Sequence, residues 1–331
     1  MDIKELRIEV QVPINIALIK YWGKRDEDLI LPLNDSVSLN INNVFAKTLL
    51  RCVPSCTPDS VSINGEAVDL NKSVRFKRCF NVDSTTNFPV AAGLASSAAG
   101  FAAIAFAIGQ LFSFSLKDVS RIARIGSGSA CRSVFEGLVH WKAGIDASGS
   151  DCYVEQLFPA NHWPELRAVI VIFNETKKET GSTAGMKATV KTSDLLKYRV
   201  EKVVPERIKR YLFYYLGFQY ILKAKIFQYM SDASWEMIRL VHEMNHNDIK
   251  AAYTFDAGPN ACIFLLQDHV AELLQLIHRR FIISSDIIDS LGFPINGGFL
   301  DVEQLRVPDK LETYSIKEII LSGVGFGPKL I

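Results

Sequence analysis

The sequence predicts an α+β protein built as two lobes. Three observations carry that expectation. Alternating, β-branched runs dominate the first half, and helical spacing with only a few short apolar strands dominates the second. The length of 331 residues suits one large domain or two ordinary ones. A polar stretch around Lys187 to Asp194 separates the two patterns, so the expected lobes are 1–190 and 191–331.

Residues 3–19 alternate and are rich in Ile and Val, which predicts a strand. Residues 36–53 repeat that pattern, and SVSINGEAVDL reads as a hairpin turning at Asn64 and Gly65. A small, apolar run over 96–112 predicts a helix, and a second helix starts near Leu116. LVHWKAG and LRAVIVIF read as strands. In the second half 205–230, 234–245 and 269–281 read as helices, while ACIFLL and EIILSGVGFG read as strands. Residues 54–60 and 296–310 read as surface loops. No internal repeat or low-complexity segment interrupts the chain.

Bulk properties exclude several classes. With 37 basic and 36 acidic residues the net charge is +1, so nothing global attracts nucleic acid or an anionic membrane. Any anion must be bound by local arrangement. The six cysteines show no CxxC and irregular spacing, which suits reduced, buried thiols. The opening MDIKELRIEVQV is charged and alternating, unlike a signal peptide. The most apolar stretch, FAAIAFAIGQLFSF, is too short to span a membrane. The closing GPKLI carries no lipidation or peroxisomal signal.

The sharpest local signal is PVAAGLASSAAG, residues 89–100, directly before the 96–112 helix. Small residues let the backbone approach a ligand, and a helix N-terminus adds free N–H groups and a positive dipole end. Gly93, Leu94, Ala95, Ser96, Ser97, Ala98 and Gly100 are therefore a candidate phosphate cradle, with Ser97 a candidate Mg²⁺ contact. No GK[ST] follows, so this is not a Walker A loop. The bland alternative is a tightly packed helix start.

That string resembles the phosphate loop of the GHMP kinase superfamily. Four further blocks resemble its decarboxylase branch, the mevalonate diphosphate decarboxylases: NIALIKYWGKR at 15–25, GSGSACRS at 126–133, KETGSTAGM at 178–186 and YTFDAGPN at 253–260. The resemblance implies a GHMP-type fold, with an N-terminal ribosomal protein S5 domain 2-like lobe and a C-terminal ferredoxin-like α/β sandwich. It implies ATP and Mg²⁺ as cofactors, mevalonate 5-diphosphate as substrate, a homodimer and a cytoplasmic location.

It also implies roles. Asp256 is the expected general base for the tertiary hydroxyl, kept ionised by Lys20. Arg132 is the expected partner of the substrate carboxylate, which a guanidinium grips with two parallel hydrogen bonds, and Asn15 is expected to brace it. Tyr21, Lys24, Ser127, Ser129 and Ser182 are expected at the diphosphate. Read without the resemblance, Asp256 is a turn former, Arg132 a structural ion pair, and Lys24 and Arg25 a solvated charged turn beside Asp26 and Glu27.

A competing motif is His242-Glu243-Met244-Asn245-His246, a formal HExxH with Glu272 as a conceivable third zinc ligand. A GHMP-type kinase is the nearer alternative, and a non-catalytic binding member of the superfamily is a third. Against the last, Lys20, Arg132 and Asp256 are all present. The pattern fails in the aromatic, basic stretch at 208–228, where relatives carry a longer segment, and at Phe326, where they often carry proline.

Overall fold

The computed structural model describes residues 6–52, 59–70, 81–88, 96–173, 182–213 (side chains to 209), 231–256, 258–284, 286–287 and 314–331. Among the described residues the first sheet has eight strands. Its spine is β1 (Leu6–Ile19) antiparallel to the 17-residue β4 (Ser36–Cys52). A short hairpin, β2 (Lys24–Asp26) and β3 (Leu31–Pro32), lies between them in sequence. The late part of β4 pairs with β7 (Asn81–Thr86), and β7 pairs in parallel with β5 (Ser60–Ile63). β6 (Glu66–Ala67) closes the hairpin expected at Asn64 and Gly65, whose φ angles of 51° and 81° are those of its tight turn. The early part of β4 pairs with β8 (Leu138–Trp141), which pairs with β9 (Val154–Phe158).

The second sheet is antiparallel, in the order β11 (Ala251–Phe255), β12 (Ala261–Leu266), β10 (Leu166–Phe173), β13 (Ile316–Ser322). β10 lies before the polar stretch at Lys187 to Asp194, which itself falls in the helices α3 (Ser182–Thr192) and α4 (Asp194–Tyr198). β14 (Lys329–Leu330) returns to the first sheet beside β1.

The layers follow from which face each strand buries. α1 (Ser96–Phe112) and α2 (Leu116–Gly126) cover one face of the first sheet, over Val10, Val12, Leu50 and Val82. Its other face shares a core with the second sheet, where Ile16, Leu39 and Ile41 meet Ala168, Ile170 and Phe264. The far face of the second sheet packs Val169, Val171 and Ile263 against α6 (Asp232–Met244) and α7 (Val270–Arg280). β10 is thus buried on both faces, which is why LRAVIVIF is apolar throughout and not alternating. α5 (Val204–Phe213) covers part of the expected 205–230 helix; 214–230 lie outside the described residues, as do 54–58 and 296–310. No helix among the described residues is long and apolar enough to cross a membrane.

One irregularity positions chemistry. The β1–β4 register shifts between Pro13 and Asn15. A side chain's face depends on register, so a shift changes which parity points where. Before it, Val10 and Val12 face α1 and α2. Beyond it, Ile14, Ile16 and Leu18 face the second sheet. Asn15 is then left on the face toward the 3-10 turn at Gly128–Val134.

Candidate active site

Asn15 is fully buried, and its hydrogen bonds are complete. Its Nδ2 donates to the Ser129 carbonyl at 3.0 Å and to Ser133 Oγ at 2.8 Å. Its Oδ1 accepts from Arg132 Nε at 2.9 Å. Arg132 Nη1 donates to Ser36 Oγ at 2.9 Å, and that hydroxyl donates to the Ile19 carbonyl at 2.6 Å. The guanidinium lies 5.6 Å from the Trp141 ring centre, within cation–π reach. Trp141 in turn packs on Tyr21, with ring centres 4.9 Å apart. Gly128 is required here, because a Cβ would stand 2.8 Å from the Tyr21 ring.

Every described hydrogen-bond partner of Arg132 is neutral. The structural ion pair that is the common fate of an arginine is not formed among the described residues. Burial lowers the Arg132 pKa, against the nearby Cys131 and the negative charge of Asp256. A desolvated cation of this kind is costly until an anion reaches it, and two of its five N–H groups are committed to the protein.

Asp256 follows β11 directly. The turn reading holds for its backbone, whose carbonyl accepts from Gly258 N at 2.9 Å. Its side chain does something else: Oδ1 accepts from Lys20 Nζ at 2.5 Å, across from the end of β1. The two side chains are 23% and 17% exposed, so the pair is enclosed yet reachable. The loop is pinned on both sides, by Ser234 Oγ donating to the Pro259 carbonyl and by Asn260 Oδ1 accepting from Phe173 N.

The helix start joins the same cluster. Ser97, on the first turn of α1, lies 3.2 Å from Ser127 through their hydroxyls. Ser127 immediately precedes the turn that carries Arg132. No acidic side chain sits on the first turn of α1, a composition that suits a dipole end facing an anion. A Cβ on Gly100 would meet nothing within 4 Å. Ser96, Ser97, Ala98 and Gly100 therefore suit a phosphate; Gly93, Leu94 and Ala95 lie outside the described residues.

Other expectations fare differently. Lys24 is largely buried and paired with Glu27 at 2.7 Å, while Arg25 donates to the Ala143 and Asp146 carbonyls, so the charged turn is part of the fold. Ser129 contributes its carbonyl to Asn15, and Ser182 opens α3. The zinc reading fails on geometry. α6 ends at Met244, which leaves His246 off the helical face of His242. Glu243 pairs with Arg280, Glu272 with Lys250 at 2.7 Å, and no metal-holding cluster occurs among the described residues. Ser36 and Trp141 contact Arg132 and were missed. The only sequence signal for either was the place of Ser36 at a strand start.

A helix start with no acidic side chain on its first turn, a carboxylate–lysine pair and a buried arginine with no ion pair among the described residues are the arrangement expected of a GHMP-type enzyme. Two family models match this chain: the diphosphomevalonate decarboxylase-like N-terminal domain over residues 12–154, and the mevalonate 5-diphosphate decarboxylase C-terminal domain over 168–212 and 224–331. The chain belongs to the diphosphomevalonate decarboxylase family. It is 38% identical to the human diphosphomevalonate decarboxylase, covering 96% of this chain and 92% of that one. It is 36% identical to the rat protein of the same name, covering 99% and 94%. Its fold matches mevalonate diphosphate decarboxylase from Trypanosoma brucei with a TM-score of 0.86 at 32% identity, over 98% of both chains. A further neighbour, at TM-score 0.74 and 29% identity over 99% of both chains, was solved in complex with MVAPP, AMPPCP and magnesium. The gap at 213–223 in the C-terminal match falls in the stretch that departs from the family pattern.

Proposed function

We propose that this chain catalyses the ATP-dependent decarboxylation of mevalonate 5-diphosphate to isopentenyl diphosphate, releasing CO2, ADP and phosphate. The observation that carries this reading is the pairing of Asp256 with Lys20 near a buried arginine that forms no ion pair among the described residues. A general base must lie within hydrogen-bond reach of the proton it removes, and Asp256 is reachable. It takes the proton of the tertiary hydroxyl, whose oxygen then attacks the γ-phosphate. Lys20 balances the carboxylate before transfer.

Phosphorylation turns that oxygen into a leaving group. Its departure leaves positive charge on carbon, and loss of CO2 supplies the electron pair for the alkene. Arg132 orients the carboxylate through the N–H groups not used by Asn15 and Ser36. Tyr21, Lys24, Ser127, Ser129 and Ser182 are assigned to the diphosphate, with Lys24 exchanging Glu27 for phosphate oxygen. The nucleotide is assigned to the α1 start from Gly93 to Gly100. Mg²⁺, when bound, would offset the negative charge of the ATP phosphates, and Ser97 is the side chain that would hold it. The structural neighbour solved with MVAPP, AMPPCP and magnesium supports this ligand pair. Within the mevalonate pathway, a role in sterol synthesis, a cytoplasmic location and a homodimer are further parts of the proposal, resting on family resemblance.

The test is incubation with ATP, Mg²⁺ and mevalonate 5-diphosphate, following CO2 and ADP together. Equal amounts of both are expected. ADP without CO2 would instead make the protein a kinase. Asp256→Asn is expected to abolish turnover and leave nucleotide binding largely intact, measured by calorimetric titration. An active Asp256→Asn enzyme removes the base assignment.

A further inference from the structure

The lysine that serves Asp256 is held by its own backbone. The Lys20 carbonyl accepts from Arg199 Nη2 at 2.8 Å and from Asn34 Nδ2 at 3.2 Å. Arg199 Nη1 also donates to Asn34 Oδ1 at 3.1 Å, which closes a three-membered latch. Lys20 lies just past β1, where the strand has ended and no ladder fixes the chain. Arg199 comes from the other side, in the helical run α4–α5. It is the first residue of a π-type turn, Arg199–Val203, inserted into that run, and the Val204 N–H reaches back to its carbonyl. Such insertions re-aim side chains and recur at functional sites.

The electrostatics are unusual for a purely structural arginine. No carboxylate pairs with Arg199 among the described residues. Burial lowers its pKa to about 10, and the charge of Arg207 adds to the effect. Desolvating a guanidinium against neutral acceptors is unfavourable by itself. The neutral acceptor it holds is the peptide carbonyl of Lys20, whose side chain must meet Asp256 from the opposite sheet.

We propose that Arg199 is a positioning residue for the phosphoryl-transfer step: by latching the Lys20 carbonyl it fixes the ammonium against Asp256. This rests on the decarboxylase reading and adds to it a residue outside the reacting groups. A misplacement of about 1 Å at a reacting group can cost on the order of 10²-fold in rate.

The experiment is a double-mutant cycle. Arg199→Met is expected to lower kcat by roughly 10- to 100-fold, with KM for both substrates moving less than about threefold, because the loss is in alignment. Arg199→Lys, which still reaches the carbonyl, recovers part of kcat. In a Lys20→Met background, with turnover measured at high enzyme concentration, Arg199→Met costs less than about twofold more, since two residues acting through one contact are not additive. An independent loss of about tenfold in that background overturns the proposal, and so does an unchanged kcat in Arg199→Met alone. Should Arg199→Met fail to fold by circular dichroism, Arg199→Lys and Asn34→Ala complete the same cycle. Amide hydrogen exchange over residues 20–22 is the readout independent of turnover: faster exchange in Arg199→Met is expected, and equal exchange refutes the latch. If the wild-type protein releases no CO2, the decarboxylase reading falls, and exchange alone then decides whether the latch exists.

Discussion

Arg132 exposes 3% of its surface, and its described contacts are an amide oxygen, a hydroxyl and an indole face. Each contact directs the planar group, and none neutralises it. A lysine at this position would offer a compact, mobile charge with no fixed fork, and the amide of Asn15 would lose its directed partner. Arg132→Lys is therefore expected to lower kcat by about 10²-fold or more, the range seen when a preorganised donor is removed. A rate within threefold of wild type refutes the carboxylate role. The residue types at this site were legible in the sequence through motif resemblance, because Asp256, Lys20, Arg132 and Asn15 each sit in a distinctive string. Ser36 and Arg199 were not legible, since a hydroxyl at a strand start and an arginine among basic helical residues look ordinary. Their roles arise only from what the fold sets against them.

Elements add constraints that no single residue carries. α1 and α2 cross so closely that a Cβ on Gly109 would lie 2.2 Å from Val119 Cγ2. Alanine would gain about 1 kcal/mol in helix propensity. Valine, however, is stiff at χ1 and cannot swing away, and overpacking costs about 1–3 kcal/mol. The steric term is expected to win: Gly109→Ala should lower the denaturation midpoint, and Gly109→Ala with Val119→Ala should regain most of it. A stabilised single variant would contradict the close crossing. The boundaries of α1 and the ends of β4 were plain in the pattern. The short strands β7, β9 and β11 were not, because NVDSTT and VEQLF lack strong alternation and are strands only through the neighbours they pair with. The HExxH string shows the reverse case: a motif legible as sequence that lost its meaning when α6 ended inside it.

For the whole molecule, the two sheets are joined by a shared core and by backbone bonds. Ile16, Leu39 and Ile41 of the first sheet pack with Ala168, Ile170 and Phe264 of the second. Past β13 the chain crosses onto β4, where Gly325 N donates to the Asn40 carbonyl at 2.7 Å and Asn42 N donates to the Gly323 carbonyl at 3.1 Å. Neither lobe could lose its structure without exposing that interface. Thermal unfolding of the intact chain is expected as one transition, with calorimetric and van't Hoff enthalpies equal. Two resolved transitions would show that the interface is weaker than its packing implies.

The sequence by itself determined the alternating and helical segments, the net charge of +1 and the residue types available for a site, because periodicity and residue type are local properties. The tertiary structure alone decided which sheet β10 joins, how the shift after Pro13 turns Asn15 toward Arg132, and that Lys20 and Asp256, 236 positions apart, meet at 2.5 Å. Those are matters of register and packing. They depend on how faces are shared between distant segments, and no local pattern encodes that sharing.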